Sequence, residues 1–186
     1  MSGRIAKAQG FTSFVSVLRE QLAPSTFERL AAALPPQTRA VVDKPPMAMS
    51  WIPQEHFDAL LTATWDLAVA KNEEAMVDLS RRQMVHDMST IYKVLMHLAS
   101  VDAVLKKSAT IYSTYSQNGR MVSRSLEPKH AEIAMEDVES GTPAYFAYLR
   151  GAIIGVLEAA GTKSFKVVMK SGGGSSHGAI YDITWS

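Results

Sequence analysis

The sequence contains no cysteine. That one absence excludes disulfides, thiolate zinc sites, iron–sulfur clusters and cysteine nucleophiles. It fits a reducing compartment, so a cytoplasmic location is expected. An excess of one charge is also lacking. The 19 Lys and Arg against 18 Asp and Glu leave a net charge of +1, far from the dense basic surface of a general nucleic-acid binder. Long apolar runs are missing as well. The longest, "GAIIGVLEAAG" (Gly151 to Gly161), carries Glu158 and falls short of the roughly 20 residues that a membrane span needs. The opening "MSGRIAKAQG" has no apolar stretch of the kind a secretory leader carries. Its small residues offer little to pack, so residues 1–10 are expected to form a flexible arm.

What is present is the composition of a globular domain, 47% hydrophobic and 20% charged over 186 residues. Such a chain buries about two thirds of its unfolded surface without help from a metal. A single domain is expected over residues 11–186.

Periodicity assigns the elements. Phe11, Phe14, Val15, Leu18 and Leu22 share one helical face. "PSTFERLAAAL" follows as a helix with Ser25 or Thr26 as N-cap. Pro35 and Pro36 are expected to stop it, and "TRAVV" leads into an extended segment held by Pro45, Pro46 and Pro53. Met47, Met49 and Trp51 alternate there, as if the segment lay across the core. "QEHFDALLTATWDLAVA" reads as one helix with Phe57, Leu60, Leu61, Thr64, Trp65 and Ala68 on its inner face. A further helical region starts at Asn72, with a break near Asp87 to Thr90, and another helix ends at Asn118-Gly119.

The pattern then changes. Two strands meet through Glu127-Pro128-Lys129. A helix follows, capped by Thr142 with Pro143 in its first turn and stopped by Gly161. "KSFKVVMKS" and "HGAIYDITWS" form a second hairpin. The fold class is therefore α+β: an N-terminal helical layer on a C-terminal four-stranded antiparallel sheet, in the order strand–strand–helix–strand–strand.

Few motifs carry chemistry. The glycines of "KSGGGSSHG" lie between two strands, with no helix N-terminus after them to receive a phosphate. They read as a hairpin tip with His177 in solvent. The five histidines, His56, His86, His97, His130 and His177, are not paired at helical spacing, and no metal site is assigned. "RGAIIG" places Gly151 and Gly155 in mid-helix, which suits close helix packing better than dinucleotide binding. The pairs Glu73-Glu74 and Glu136-Asp137 lie at element ends rather than in an apolar setting, and no catalytic residue is assigned. Arg81 and Arg82 read as a solvated helix face, with an anion site as the alternative.

The ten methionines are more suggestive. Met fills irregular gaps and lines adaptable pockets. Met84, Met88 and Met96 fall near Tyr92 and Tyr112, and with Trp51, Trp65 and Phe146 they are the candidate lining of a small-molecule pocket. A solid core would use the same residues.

Leu34-Pro35-Pro36, Ser50-Trp51-Ile52-Pro53, Tyr92-Lys93, the helix ending in Ala160-Gly161 and the final Trp185 carry a resemblance that covers most of the chain. In these it resembles an uncharacterised bacterial family of about this length, best known from myxobacteria. By its C-terminal half that family is similar to the 4-vinyl reductase domain. More distantly it is similar to the haem nitric-oxide-binding sensor fold and to trafficking-complex subunits that hold an acyl chain. The resemblance implies helices wrapped on an antiparallel sheet with a small-ligand or lipid cavity between them, and a sensor or adaptor role. The family's usual cysteines of the last hairpin are replaced here by Ser171 and Ala179, which removes the zinc site some relatives have. No histidine stands out as a proximal haem ligand, His97 and His86 being ones to try, and no cofactor is assigned.

The resulting expectation is a non-catalytic cytoplasmic sensor or signalling domain that binds a small apolar ligand between helices and sheet. The alternative is a protein–protein adaptor, or regulator of polarity, motility or development, with a solid core and a possible homodimer interface. Neither reading involves nucleic acid or a membrane span.

Overall fold

The computed structural model describes residues 4–90, 101–139 and 141–186. The chain opens with strand β1 (Ile5–Lys7), which runs straight into helix α1 (Ala8–Gln21). Helices α2 (Pro24–Ala33) and α3 (Pro36–Asp43) follow. Strand β2 (Trp51–Pro53) leads into α4 (Gln54–Ala63), a π-helical turn (Thr64–Ala68) and the long α5 (Glu73–Thr90). Helix α6 (Val101–Tyr115), the β3 (Arg120–Glu127) and β4 (His130–Glu136) hairpin, helix α7 (Pro143–Ala159) and the β5 (Phe165–Gly172) and β6 (Ala179–Trp185) hairpin complete it. Tyr92, Met96 and His97 lie outside the described residues.

The expected α+β arrangement is the observed one. The sheet is antiparallel throughout, in the order β3-β4-β6-β5. Helix α7 connects the hairpins and covers the inner face of the sheet. Ile133, Tyr181 and Ile183 on that face are buried, and the Tyr181 hydroxyl donates to the Phe146 carbonyl at 2.8 Å. Thr142 caps α7 as its sequence indicates, its Oγ1 accepting from the Tyr145 N–H at 3.1 Å. Gly161 ends the helix with φ +80°. The apolar core is continuous from α1 and α4 through α5 and α7 to the sheet.

Several sequence expectations are corrected. Residues 5–10 are not a free arm. Ala6 pairs with Ile52 across β1 and β2, both buried, and residues 8–10 are the buried first turn of α1. Pro35-Pro36 ends one helix but begins the next. Pro36 occupies the first position of α3, where its missing N–H costs nothing, so Thr38 and Val42 are helical and buried. The helix expected from Gln54 onward is cut at Thr64, whose carbonyl accepts the Val69 N–H at 3.0 Å five residues on. Ala70 and Lys71 then adopt positive φ and turn the chain into α5. The Met47–Trp51 segment runs over the surface, because the β1–β2 pairing turns Ile52 inward and its neighbours outward. Met47 is 82% exposed and Met49 66%.

The glycine-rich stretch is a hairpin tip. Gly172, Gly173 and Gly174 all have positive φ, which L side chains rarely adopt. His177 is not loose in solvent there. Its Nδ1 lies 2.9 Å from the Val138 carbonyl, and its own carbonyl accepts the Val138 N–H. This fastens the tip to the end of the other hairpin.

Candidate ligand-binding site

A cavity of about 110 Å³ lies where α5, α6 and α7 meet the sheet, with β1, α1 and α4 closing it from the N-terminal side. Helix α7 contributes Leu149, Ala152, Ile153 and Val156 to its wall, and α6 contributes Val104, Leu105 and Ile111. Apolar side chains predominate because each helix turns its 3.6-periodic inner face to the same point. A buried glycine opens the wall further. A Cβ built on Gly10 of α1 would meet nothing within 4 Å.

Polar groups enter this apolar space from two sides. On the first, the Tyr148 hydroxyl donates to Gln83 Oε1 at 2.9 Å, and Gln83 Nε2 donates to the Gly10 carbonyl at 2.9 Å. That fixes the carboxamide. Asp87, one turn along α5, is 1% exposed. Burial pushes its carboxyl above the ordinary carboxylate range, against hydrogen bonds from Ser13, His86 and Gln83. On the second side the Tyr112 and Tyr145 hydroxyls lie 2.7 Å apart, and both reach the Asn118 carbonyl. Burial raises both phenols, Tyr145 further, so both stay neutral and can donate.

Between these sides stands Ser108 of α6, which lines the cavity. It is 8% exposed, and its Oγ has no hydrogen-bond partner. A helical serine usually finds the carbonyl four residues back. A buried hydroxyl left unmade costs about 1–3 kcal/mol.

The sequence candidates divide. Met84 and Tyr112 line the cavity. Met88 and Phe146 are buried but belong to the packed core around it, Phe146 in edge-to-face contact with Tyr145 at 5.6 Å. Trp65 packs partly buried against the core. Trp51 is 38% exposed beneath the Lys7 ammonium, 4.0 Å from its ring centre. Tyr92 and Met96 fall in the segment that is not described. Sequence reasoning missed Gln83, Asp87 and Ser108. On α5 the signal was available: Ser80, Gln83 and Asp87 repeat at helical spacing, the pattern of a polar inner stripe.

The remaining charged candidates are engaged in ion pairs. Arg81 binds Asp78 and Glu158, each at 2.8 Å, and Arg82 binds Asp78 at 2.7 Å. Burial pushes the Asp78 carboxyl up, but the two guanidinium groups outweigh it and hold the carboxyl below its usual value. Glu73 and Glu74 receive Arg150 at 2.7 and 2.8 Å. Glu136 and Asp137 pair with Arg120 at the sheet end. Among the described residues no group of three or more potential ligands could hold a metal, and no helix is long and apolar enough to cross a membrane.

Residues 9–186 match the model of a family described as a protein of unknown function, DUF2378. No curated protein matches the chain. Among solved structures, an Fe(II) unliganded H-NOX protein mutant from K. algicida superposes with a TM-score of 0.72 at 8% identity, covering 97% of this chain and 96% of that one. An H-NOX from Shewanella woodyi in the Fe(II)CO ligation state gives 0.65 at 12% identity, over 96% and 94%. A third structure, concerned with heme redox potential and porphyrin distortion, gives 0.65 at 10%, over 96% and 99%. At such identities the likeness establishes the H-NOX fold, and it agrees with the sensor-domain resemblance read from the sequence.

Proposed function

The chain belongs to the DUF2378 family, and we propose that it is a non-catalytic sensor domain which binds a small apolar ligand between α5, α6, α7 and the sheet. The observation that carries this reading is the cavity itself, about 110 Å³ of apolar space inside an otherwise densely packed core. Interiors normally leave few voids larger than a water molecule, and a cavity of about 150 Å³ takes up benzene. Met84 and Tyr112 remain lining residues. Absence of cysteine supports a cytoplasmic setting. A non-catalytic role is supported by the ionisable groups present: buried phenols held neutral and one carboxyl pushed up by burial, with no base and nucleophile in contact among the described lining residues.

Heme, which one neighbour's study concerns, does not match the described wall. The volume suits one ring rather than a porphyrin. No imidazole is among the described lining residues, the chain has no thiolate, and the lining phenols Tyr112 and Tyr145 are kept neutral by burial and bonded to the Asn118 carbonyl.

The adaptor reading rests on a different observation, the exposed Met47, Met49 and Trp51, which form a surface of the kind protein partners cover. Native mass spectrometry of protein purified from its own host separates the two. The sensor reading expects a mass excess that disappears on denaturation. A bare monomer or dimer mass would move the assignment to the adaptor.

A further inference from the structure

The proposed sensor function leaves the chemical class of the ligand open, and the cavity wall narrows it. Ser108 Oγ is a buried polar atom of the described wall with no hydrogen-bond partner, whereas Gln9 Nε2 and Asn118 Nδ2 do not line the cavity. A hydroxyl both donates and accepts, so a ligand with a single hydroxyl or carbonyl would satisfy it. The rest of the wall limits what else the ligand can carry. Gln83 is already bonded on both sides of its carboxamide, to Tyr148 and to the Gly10 carbonyl. Tyr112 and Tyr145 are bonded to each other and to Asn118. Among the described wall residues the ionisable groups other than tyrosine are Asp87 and Lys7, and the Lys7 ammonium is directed away, 2.8 Å from the Met49 carbonyl and over the Trp51 ring. A carboxylate ligand would therefore give up its hydration with no available cation among the described wall residues to replace it.

Resting on the sensor reading above, we infer that the cavity is built for an uncharged molecule of about one ring in size, with one hydrogen-bonding head seated on Ser108 Oγ. Fatty acids and other anions find no counter-charge on the described wall.

Three probes that share one ring test this: benzene, phenol and benzoate, titrated into the full chain and followed by amide chemical shifts. Phenol is expected to bind about five- to tenfold more tightly than benzene, the usual yield of one buried hydrogen bond, and benzoate not to bind at neutral pH. Ser108→Ala should remove the preference for phenol and leave benzene binding unchanged. It should also unfold at no lower a temperature than the parent, because it deletes an unmet hydroxyl. Equal binding of benzene and phenol, or a phenol preference that survives in Ser108→Ala, would overturn the hydrogen-bonding head while the cavity reading stood. Benzoate binding as well as phenol would overturn the uncharged class. If no probe binds, the cavity reading and this inference both fail.

Discussion

Two faces of helix α7 meet opposite conditions. On the face turned to α5, Gly151 and Gly155 are packed so closely that an added Cβ would lie 2.3 Å from the Val77 carbonyl oxygen and 2.7 Å from that of Arg81. The adjoining face, through Ala152, Ile153 and Val156, borders an open cavity. The void is therefore not a sign of a loosely packed helix. The same element is held at minimum separation from one neighbour and kept away from another. Across the cavity Gly10 makes the same point in reverse, since a Cβ there would meet open space. The glycine seam fixes where α7 sits, and the space beyond it is then a feature of the fold that side chains on α1 and α6 leave unfilled.

The largest expected effect comes from breaking the tight side. Gly151→Ala must push α7 off α5, because the clashing atom is backbone and cannot rotate away. Overpacking of this kind costs about 1–3 kcal/mol, against a gain of at most about 1 kcal/mol in helix propensity. The urea midpoint should fall with an unchanged m-value. A midpoint equal to or above the parent's would mean that the seam is not tight.

The contrast between these faces was half legible in the sequence. The four-residue spacing in "RGAIIG" was read as close helix packing, and the structure bears this out. The hairpins, the Thr142 cap and the Gly161 stop were also legible, because turn and cap residues act locally. The cavity was not, since a void is a property of how distant elements meet. Its polar members on α5 share a helical spacing, but no periodicity links them to those on α6 and α7. Of the described candidates chosen by size and polarizability, Met84 and Tyr112 border the cavity, Met88, Phe146 and Trp65 pack in the core around it, and Trp51 lies at the surface. Trp51 was misplaced because alternation alone does not say which face of a strand is inward. Pairing with β1 decides that, and β1 lay in the stretch read as an arm.

Charge on the cavity side also separates the two faces. Asp87 has a raised pKa in the folded chain, while the unfolded chain ionises near 3.8. The fold thus favours the neutral acid. Its contribution to stability is complete below about pH 3.8 and is lost as the pH rises through the higher folded value. Asp87→Asn keeps the shape and cannot ionise. Its stability relative to the parent should rise across that window and be flat on either side, read from urea midpoints at a series of pH values. Parallel curves for the two proteins would show that Asp87 is not held neutral by burial.

The smallest effect is the mirror of the first. Gly10→Ala places a methyl group into the cavity without touching another atom, at a helical position whose φ an alanine accepts. Removing the flexibility of glycine from the unfolded chain stabilises by about 0.4–1 kcal/mol, so the urea midpoint should rise modestly while that of Gly151→Ala falls. The same chemical change then has opposite signs on the two sides of the cavity-bearing core. Ligand binding adds a second discriminant. Gly10→Ala shrinks the cavity and should weaken phenol and benzene together, unlike Ser108→Ala, which separates them. A stabilised Gly10→Ala that binds both probes as tightly as the parent would show that Gly10 borders a different space from the one the ligand uses.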